Sequence, residues 1–224
     1  MKKYFHIFLI IFLAGGKLLS QDIYSGGDTL RSYGIGAEYL VASHSADFRE
    51  FEGVPTCCPQ FGSGDGIGIL IKGYMELPLP YRLKMGMRAS WMTMSGTLKN
   101  DIPDTASVRV GDQIVIGEFN HILDHSVSDI AVEPYLRFRA FEGLHFSLGW
   151  RVGLITSGNY DYVEKLEKPE NTGVFADTDS RERNASEGEI PELSTVYSAL
   201  VFGASYALPL NEENSWQVLP NINY

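Results

Sequence analysis

The sequence predicts an all-β fold, an antiparallel up-and-down transmembrane β-barrel of about eight strands, and three observations predict it. Apolar and polar residues alternate with a period of two in seven segments of roughly 10 to 14 residues. The connections between these segments are alternately short and long. No segment of the mature chain has the run of about 18 apolar residues that a membrane helix needs.

The first 20 residues have the pattern of a secretory signal peptide. Lys2 and Lys3 precede an apolar run at residues 8–14, and the small residue Ser20 precedes Gln21. We therefore expect a signal peptide at residues 1–20 and a barrel domain at residues 21–224. Removing this peptide, which has three lysines and no acids, moves the formal charge from −10 to −13. Such an acidic chain has no general attraction for nucleic acid.

The strand prediction is clearest in "RLKMGMRASWM" at residues 82–92. Its odd positions are apolar up to Trp91, and its even positions are Arg82, Lys84, Gly86, Arg88 and Ser90. The same alternation recurs in "GIGILIKGYMEL", "IAVEPYLRFRA" and "LHFSLGWRVGL", and more weakly at residues 33–41, 196–208 and 216–224. Strands of soluble domains usually have about 5 or 6 residues, whereas a tilted strand crosses a bilayer with roughly 9 to 11.

The connections also favour a membrane barrel. "LPLPY", "FEG" and "LNEENS" predict short turns, and residues 43–64, 96–127 and 156–194 predict long loops. Outer-membrane barrels have short periplasmic turns and long extracellular loops. Residues 106–119, "ASVRVGDQIVIGEF", also alternate, and we interpret them as the rising part of a long hairpin above the membrane.

A soluble, lipocalin-like periplasmic barrel that binds an apolar ligand is the main alternative, because its apolar face would point inward. Segment length, loop asymmetry and aromatic residues near strand ends favour the membrane. These aromatic residues are Tyr33, Tyr39, Trp91, Phe138, Trp150, Tyr206 and Trp216.

Four stretches, "CCPQFGSGDG", "YMELPLPYRLKMGMR", "EFNHILDHSVSDIAVEPYLRFR" and "LHFSLGWRVG", give the chain a resemblance to a known family. It resembles the outer-membrane β-barrel domain of Bacteroidetes and Chlorobi type bacteria, which is similar in architecture to the membrane domain of outer membrane protein A. The resemblance implies an outer-membrane location and a porin-like or anchoring role. Outer-membrane lipid and the barrel-assembly machinery are the expected partners, and the alternation toward the terminal aromatic Tyr224 is typical of an assembly signal.

Seven strands are an odd number, whereas bacterial single-chain barrels have an even number. Three explanations are open. The chain lacks its last strand, residues 106–119 supply another, or a second molecule closes the barrel. We favour a chain truncated at its C-terminus.

If the apolar faces meet lipid, the opposite faces form a basic interior of seven bases and three acids. Buried charges persist when they are paired or solvated, so we expect a salt-bridged network that fills a narrow barrel. An anion-favouring pore lined by Arg88, Arg137, Arg139 and Arg151 is the alternative. The predicted network comprises Glu38, Lys72, Glu76, Arg82, Lys84, Arg88, Glu133, Arg137, Arg139 and Arg151.

Cys57 and Cys58 are adjacent in a loop rich in glycine and proline, and they are the only cysteines of the chain. In the oxidising periplasm we expect a vicinal disulfide that holds the loop against the barrel mouth. Neighbouring Cα atoms are only about 3.8 Å apart, so this bond is strained. An intermolecular bridge and two free thiols are the alternatives.

Candidate catalytic residues occur in "HILDHS", which contains His121, Asp124, His125 and Ser126. In an extended strand His121 and His125 share a face but lie roughly 13 Å apart, too far for one metal ion. A Ser/His/Asp site would need partners that are distant in sequence. "DTDSRERN" lacks the glycine and the final glutamate of a calcium loop. We therefore predict no enzymatic activity, no metal and no cofactor, with a lipid-modifying outer-membrane enzyme as the alternative.

Overall fold

The computed structural model describes residues 20–25, 31–48, 61–210 and 216–224, and this part of the chain is all-β, as predicted. Its twelve strands are β1 (Ser20–Ser25), β2 (Ser32–Phe48), β3 (Phe61–Leu79), β4 (Leu83–Asn100), β5 (Asp104–Val110), β6 (Gln113–Arg139), β7 (Leu144–Lys168), β8 (Val174–Phe175), β9 (Glu182–Glu189), β10 (Val196–Tyr206), β11 (Leu208–Pro209) and β12 (Trp216–Asn223).

These strands form one antiparallel sheet with β8 and β9 at its two ends. Neighbouring strands follow the order β8, β5, β6, β4, β3, β2, β1, β12, β10, β7 and β9. β11 pairs with β12 outside this order, and β6 also pairs with β7. The described part of the chain therefore has a twelve-stranded sheet, whose end strands β8 and β9 do not pair with each other, rather than the predicted count of about eight strands.

Several strands are far longer than the sequence pattern predicts. β6 has 27 residues and β7 has 25. Most of the predicted loops at residues 96–127 and 156–194 are therefore extended strand, and that prediction was wrong. Residues 106–119, which we expected to be the rising part of one long hairpin, instead form most of both arms of a hairpin of their own, because β5 pairs with the first residues of β6. Gly111, with a φ of 61°, lies in the tight turn that joins them.

β1 is a strand that the alternation pattern does not predict. It pairs with β2 along residues 21–25 and with β12 along residues 20–25. The position beside β12, where we expected a strand to be missing, is therefore occupied by residues around the predicted end of the signal peptide. Residues 1–19, which include most of that peptide, lie outside the described residues.

A β-bulge in β7 changes which side chains face inward. Ser128 pairs with Ser157 and Asp129 pairs with Ile155, so Thr156 is an extra residue without an opposite partner. Before the bulge the odd positions of β7, such as Arg151, are buried. After it the even positions Tyr160, Tyr162 and Glu164 are buried.

The outward face of the long strands carries a belt of exposed apolar side chains. Met85 is 48% exposed, Phe138 is 44% exposed and Trp150 is 55% exposed. We call this set the apolar belt. Its members on the central strands are Ile67, Ile69, Ile71, Met75, Met85, Met87, Trp91, Ile130, Val132, Leu136, Phe138, Phe146, Leu148, Trp150, Leu154, Val196, Leu200 and Phe202.

Beyond the belt, at the end opposite the short turns, the sheet has two small buried cores. One contains Phe61, Leu98, Leu123, Tyr160 and Tyr162. The other contains Val108, Phe119, Leu166 and Phe175. We call the region around these cores the distal extension. Its own apolar packing explains why the strands continue past the belt instead of ending in loops.

Two short turns, residues 80–82 and residues 140–143, lie at the other end of the sheet, which we call the short-turn end. Tyr81 and Arg82 have positive φ angles of 64° and 62°. This conformation costs a residue with a Cβ atom about 1–2 kcal/mol, so the turn is strained.

Two sequence predictions concern residues or side chains that the structure does not describe. Cys57 and Cys58, with the predicted disulfide, fall at positions that the structure does not describe. The side chain of Trp216 also lies outside the described residues. Within them, no helix has the length and apolar character to cross a membrane.

Candidate functional site: the charged interior and the distal histidine

The buried face of the sheet holds a network of charged side chains. Alternation selects this face, which takes the even positions of β2, β3 and β4 and the odd positions of β6. Glu76 and Asp129 are each only 1% exposed. Buried charges of this kind need partners, and the network supplies them in three groups.

The first group surrounds Glu76, nearest the short-turn end. Its Oε1 accepts hydrogen bonds from Arg137 Nη1 and from the Tyr135 hydroxyl, each at 2.8 Å. Lys84 Nζ lies 3.8 Å from Glu76 Oε2 and donates to Ser32 Oγ at 3.1 Å. One carboxylate therefore interacts with two neighbouring cations.

The second group contains two ion pairs on neighbouring strands. Arg88 Nη1 lies 2.6 Å from Glu133 Oε1, and the Arg88 guanidinium stacks over the Tyr135 ring at 3.8 Å. Lys72 pairs with Glu38, which also accepts a hydrogen bond from Asn223 Nδ2 at 2.7 Å.

The third group surrounds Arg151, just below the β7 bulge. Its guanidinium donates to Asp129 Oδ1 at 2.7 Å, to Ser90 Oγ at 2.8 Å and to the Tyr197 hydroxyl at 2.6 Å. Tyr197 in turn donates to Asp129 Oδ2 at 2.9 Å. A carboxylate, a tyrosine and a serine therefore each accept a hydrogen bond from one of the three guanidinium nitrogens.

Two residues of the predicted network do not lie on the buried face. Arg82 is exposed because it lies in the β3–β4 turn, where the strand alternation has ended. Arg139 is half-buried at the last position of β6. The other eight predicted residues lie on the buried face or at its margin.

The sequence analysis missed Asp129, and this changes the charge balance of the interior. The three groups contain the cations Lys72, Lys84, Arg88, Arg137 and Arg151 and the acids Glu38, Glu76, Asp129 and Glu133. Asp129 has the same parity as Glu133, so extending the alternation by one residue before Ile130 would have found it. The interior is therefore close to neutral instead of strongly basic.

Glycines on the buried face leave room for the large members of the network. A Cβ atom at Gly86 would lie 2.4 Å from the Tyr135 ring, and one at Gly149 would lie 2.3 Å from Glu133 Oε1. A Cβ atom at Gly153 would lie 2.2 Å from the Tyr197 ring. These glycines therefore place the tyrosines and the carboxylate against bare backbone of the neighbouring strand.

Little space remains among these groups. A cavity of about 20 Å³ is lined by polar side chains that include Arg88, Arg137, Asn221 and Asn223, and this volume fits roughly one water molecule. A larger, open cavity of about 730 Å³ lies toward the distal extension, against residues 65–67, 95–97, 124–126 and 159–161.

His121 has long-range partners in the distal extension. Its Nε2 lies 2.8 Å from Asp104 Oδ2, and its Nδ1 lies 2.5 Å from the Tyr162 hydroxyl. Glu164 Oε1 is 3.9 Å from the same Nδ1. Both ring nitrogens therefore face side chains of β5 and β7, which joins these strands around a histidine that is only 2% exposed.

Electrostatics strengthen this cluster. Burial and the neighbouring carboxylate of Glu164 raise the pKa of the Tyr162 hydroxyl above its usual value. Burial lowers the pKa of Arg183, but Glu164 and Asp177 outweigh it and raise that pKa overall. Arg183 Nε donates to Glu164 Oε2 at 2.7 Å. The tyrosine therefore stays neutral and the arginine stays charged across the usual pH range.

The four candidate catalytic residues do not form one cluster. His121 is buried in the distal extension, whereas Asp124, His125 and Ser126 lie against the larger cavity, and Asp124 accepts a hydrogen bond from Thr97. Within the described part of the chain, no group of three or more histidine, cysteine, aspartate or glutamate side chains is arranged to hold a metal ion. Comparison of the chain with family models, curated proteins and solved structures gave no match.

Proposed function

We propose that this chain is an integral outer-membrane β-barrel protein that acts as a structural anchor with a filled interior. The observation that carries the proposal is the apolar belt on the outward face, combined with a charged network on the opposite face. A soluble protein rarely leaves so large a contiguous apolar surface in water. Hydrocarbon is the environment that stabilises such a surface.

The strand pairing supports a closed barrel of eight strands within the larger sheet. The pairing of β6 with β7 joins β6, β4, β3, β2, β1, β12, β10 and β7 in a ring of neighbours. An even, closed ring leaves no unpaired strand edge in lipid, where unpaired backbone groups are costly. On this interpretation, β5, β8 and β9 belong to the distal extension, outside the membrane.

The dimensions of the belt support a position in a bilayer. From Ile130 to Phe138 the belt covers nine residues of β6, close to the roughly 9 to 11 that a tilted strand needs to cross a membrane. One cross-strand row continues around the sheet. It consists of Ala37, Ile71, Trp91, Ile130, Leu154 and Val196.

The filled interior favours an anchor over an open channel. Eight strands leave an interior about as wide as the side chains that fill it. The paired charges and the 20 Å³ cavity agree with this expectation. The near-balance of charge also favours the anchor over an anion-favouring pore, because each of Arg88, Arg137 and Arg151 has a carboxylate partner.

The soluble alternative requires an inward apolar face that surrounds a ligand. Met85 and Met87 are about half exposed, and Glu76 and Arg137 lie on the buried face instead. Of the two histidines that the enzyme alternative uses, His121 is buried and both of its ring nitrogens have close partners. His125 is half-buried against the open cavity, and His121 does not join it there. We therefore propose a non-enzymatic role.

Cell fractionation with gel electrophoresis of unheated samples tests the proposal. We expect the protein in the outer-membrane fraction, with a folded band that migrates differently from the heated band. Recovery in the soluble periplasmic fraction, with one band position before and after heating, would contradict the proposal and favour the soluble barrel.

A further inference from the structure

The small interior cavity, of about 20 Å³, has a largely polar lining. Two arginines, two serines and two asparagines contribute to it: Arg88, Arg137, Ser147, Ser205, Asn221 and Asn223. No aspartate or glutamate is among the described residues that line it. Cavities that stay empty in proteins are apolar, whereas a polar cavity of this size holds water or a small polar ligand.

One cross-strand row of the sheet brings several of these side chains together. Arg137 pairs with Ser147, Ser147 pairs with Gly203, and Gly203 pairs with Asn223. A Cβ atom at Gly203 would lie 2.5 Å from Ser147 Oγ and 2.4 Å from Asn223 Oδ1. The serine and the asparagine therefore lie over bare backbone, and the row places polar side chains from β6, β7 and β12 around the cavity.

The lining has more hydrogen-bond donors than the protein itself uses. Within the described part of the chain, Arg88 makes one hydrogen bond, from Nη1 to Glu133 Oε1 at 2.6 Å. A guanidinium has five N–H donors, so four remain for other acceptors. The hydroxyls of Ser147 and Ser205 likewise have no partner among the described residues. Donors from three side chains are therefore available to a ligand that accepts hydrogen bonds.

The charges around the cavity also favour an acceptor. Arg88 pairs with Glu133 and Arg137 pairs with Glu76, but neither carboxylate lines the cavity, whereas both arginines do. The nearest formal charges to a ligand there are thus positive, and their effect is strong because both arginines are largely buried. Water must donate as well as accept hydrogen bonds, whereas an anion only accepts them.

We propose that this cavity binds one small monovalent anion, a halide such as chloride, between Arg88 and Arg137. A volume of about 20 Å³ suits an anion of a single atom and excludes sulfate, phosphate and carboxylates, which have several. The bound ion stabilises the interior by bridging two cations on neighbouring strands. This site goes beyond the anchoring role and does not depend on the membrane location.

Unfolding in two salts tests the site. The full chain is folded in alkyl maltoside micelles and titrated with urea in sodium chloride or in sodium gluconate of equal ionic strength, because gluconate is too large for the cavity. A ligand that binds only the folded state multiplies the folding equilibrium constant by 1 + [L]/Kd. Above the Kd, a tenfold rise in chloride should therefore raise this constant about tenfold beyond the change in gluconate. Equal changes in the two salts would mean that the cavity holds only water, which would overturn the inference and leave the anchor proposal intact.

Variants at one serine locate the effect. Ser147→Leu fills the cavity without changing a charge, so chloride and gluconate should then act equally. Ser147→Ala removes only a hydroxyl donor, so it should fold and should weaken the chloride effect several-fold. Ser198→Leu lies on the exposed face of β10 and is the control that should keep the full effect. A full chloride effect in both Ser147 variants would place the ion elsewhere and contradict the proposal.

Chloride NMR gives a direct readout of binding. Exchange of the ion with a protein site broadens its signal, so the parent protein and Ser198→Leu should broaden it and added bromide should reverse the broadening by competition. Ser147→Leu should broaden it far less. A parent protein that neither broadens the signal nor gains stability in chloride would contradict the site.

Discussion

At the scale of single residues, Glu76 is one of the two most enclosed acids of the interior network. It accepts hydrogen bonds from Arg137 and Tyr135 and lies near Lys84. Glu76→Gln leaves two buried cations without a counter-charge, so we expect a loss of about 3–5 kcal/mol in the free energy of unfolding. Urea titration of the folded protein in micelles measures it.

The matched control is Glu182→Gln. Glu182 pairs with Lys165 at 2.9 Å, but both side chains are about half exposed. An exposed pair of this kind contributes about 0–1 kcal/mol. Equal losses for the two variants would contradict the view that the interior network is desolvated.

His121 gives a second prediction at this scale. His121→Ala removes the partner of Asp104 and of the Tyr162 hydroxyl, which should destabilise the distal extension by about 1–3 kcal/mol. Faster hydrogen exchange in β5 and in residues 157–168 of β7, with unchanged exchange in the belt strands, would confirm it. Any lipid-modifying activity that persisted in His121→Ala with His125→Ala would exclude the histidine-based enzyme.

The same cluster predicts a dependence on alkaline pH. Because the pKa of Tyr162 is raised in the folded protein, the folded state keeps this proton at pH values where the unfolded chain loses it. The stability from this group is therefore fully present below about pH 10, the usual tyrosine pKa, and is lost as the pH rises above it. Tyr162→Phe should flatten this part of the pH profile of hydrogen exchange in β7, and an unchanged slope would contradict the assignment.

At the scale of elements, β7 shows what the sequence could and could not predict. The alternation from Leu144 to Gly153 assigns faces correctly, because each side chain there follows the parity of an unbroken strand. Beyond Thr156 the bulge reverses the parity, and no local pattern marks it. Periodicity therefore predicted Arg151 on the interior but could not predict that Tyr162 and Glu164 lie on the same side.

Two further elements show the same limit. Asp129 precedes the apolar run that begins at Ile130, so a strand defined by its apolar positions began one residue too late. β1 has no clear alternation, and it is a strand because β2 and β12 offer it unpaired edges. A local sequence pattern does not show long-range pairing of this kind. The distal strands also depend on long-range packing, in their own small cores, and the sequence pattern therefore predicted loops there.

Deletion of Thr156 tests the role of the bulge. Without this extra residue the inward and outward positions of β7 would alternate without a break, which would turn Tyr160, Tyr162 and Glu164 outward and expose the distal core. We expect loss of protection from proteolysis in the distal extension with an intact belt region. Thr156→Ala keeps the chain length and removes only the hydrogen bond to the Ser128 carbonyl, so it should remain protected. Equal protection of both variants would contradict the role of the bulge.

The belt predicts that a charged substitution on it destabilises the protein, unlike a substitution on an ordinary surface exposed to water. Leu200 is 65% exposed and lies opposite Trp150 near the middle of the belt. Leu200→Arg should cost about 2–4 kcal/mol in a bilayer, whereas an exposed substitution in water usually changes stability by about 0.5 kcal/mol or less. Ile116→Arg, which is 82% exposed in the distal extension, is the control without this cost.

At the scale of the whole molecule, the paired charges of the interior predict that the barrel does not conduct ions. The larger cavity lies toward the distal extension. Among the charged groups, the cavity of about 20 Å³ is too small to form a continuous water path. Purified protein in a planar bilayer should therefore show no steady conductance at neutral pH. A stable, anion-selective conductance would contradict the filled barrel and restore the pore interpretation.

The most direct test of the account is a spin-label scan of residues 84–91 in a lipid bilayer, with Cys57 and Cys58 replaced by serine. If the apolar belt faces lipid, labels at odd positions such as Met85 and Met87 should collide with oxygen dissolved in the bilayer. Labels at even positions such as Lys84 and Arg88 should be immobilised and inaccessible to oxygen. A scan without this period of two, or one in which Met85 and Met87 report a water-exposed or tightly packed environment, would contradict the central claim.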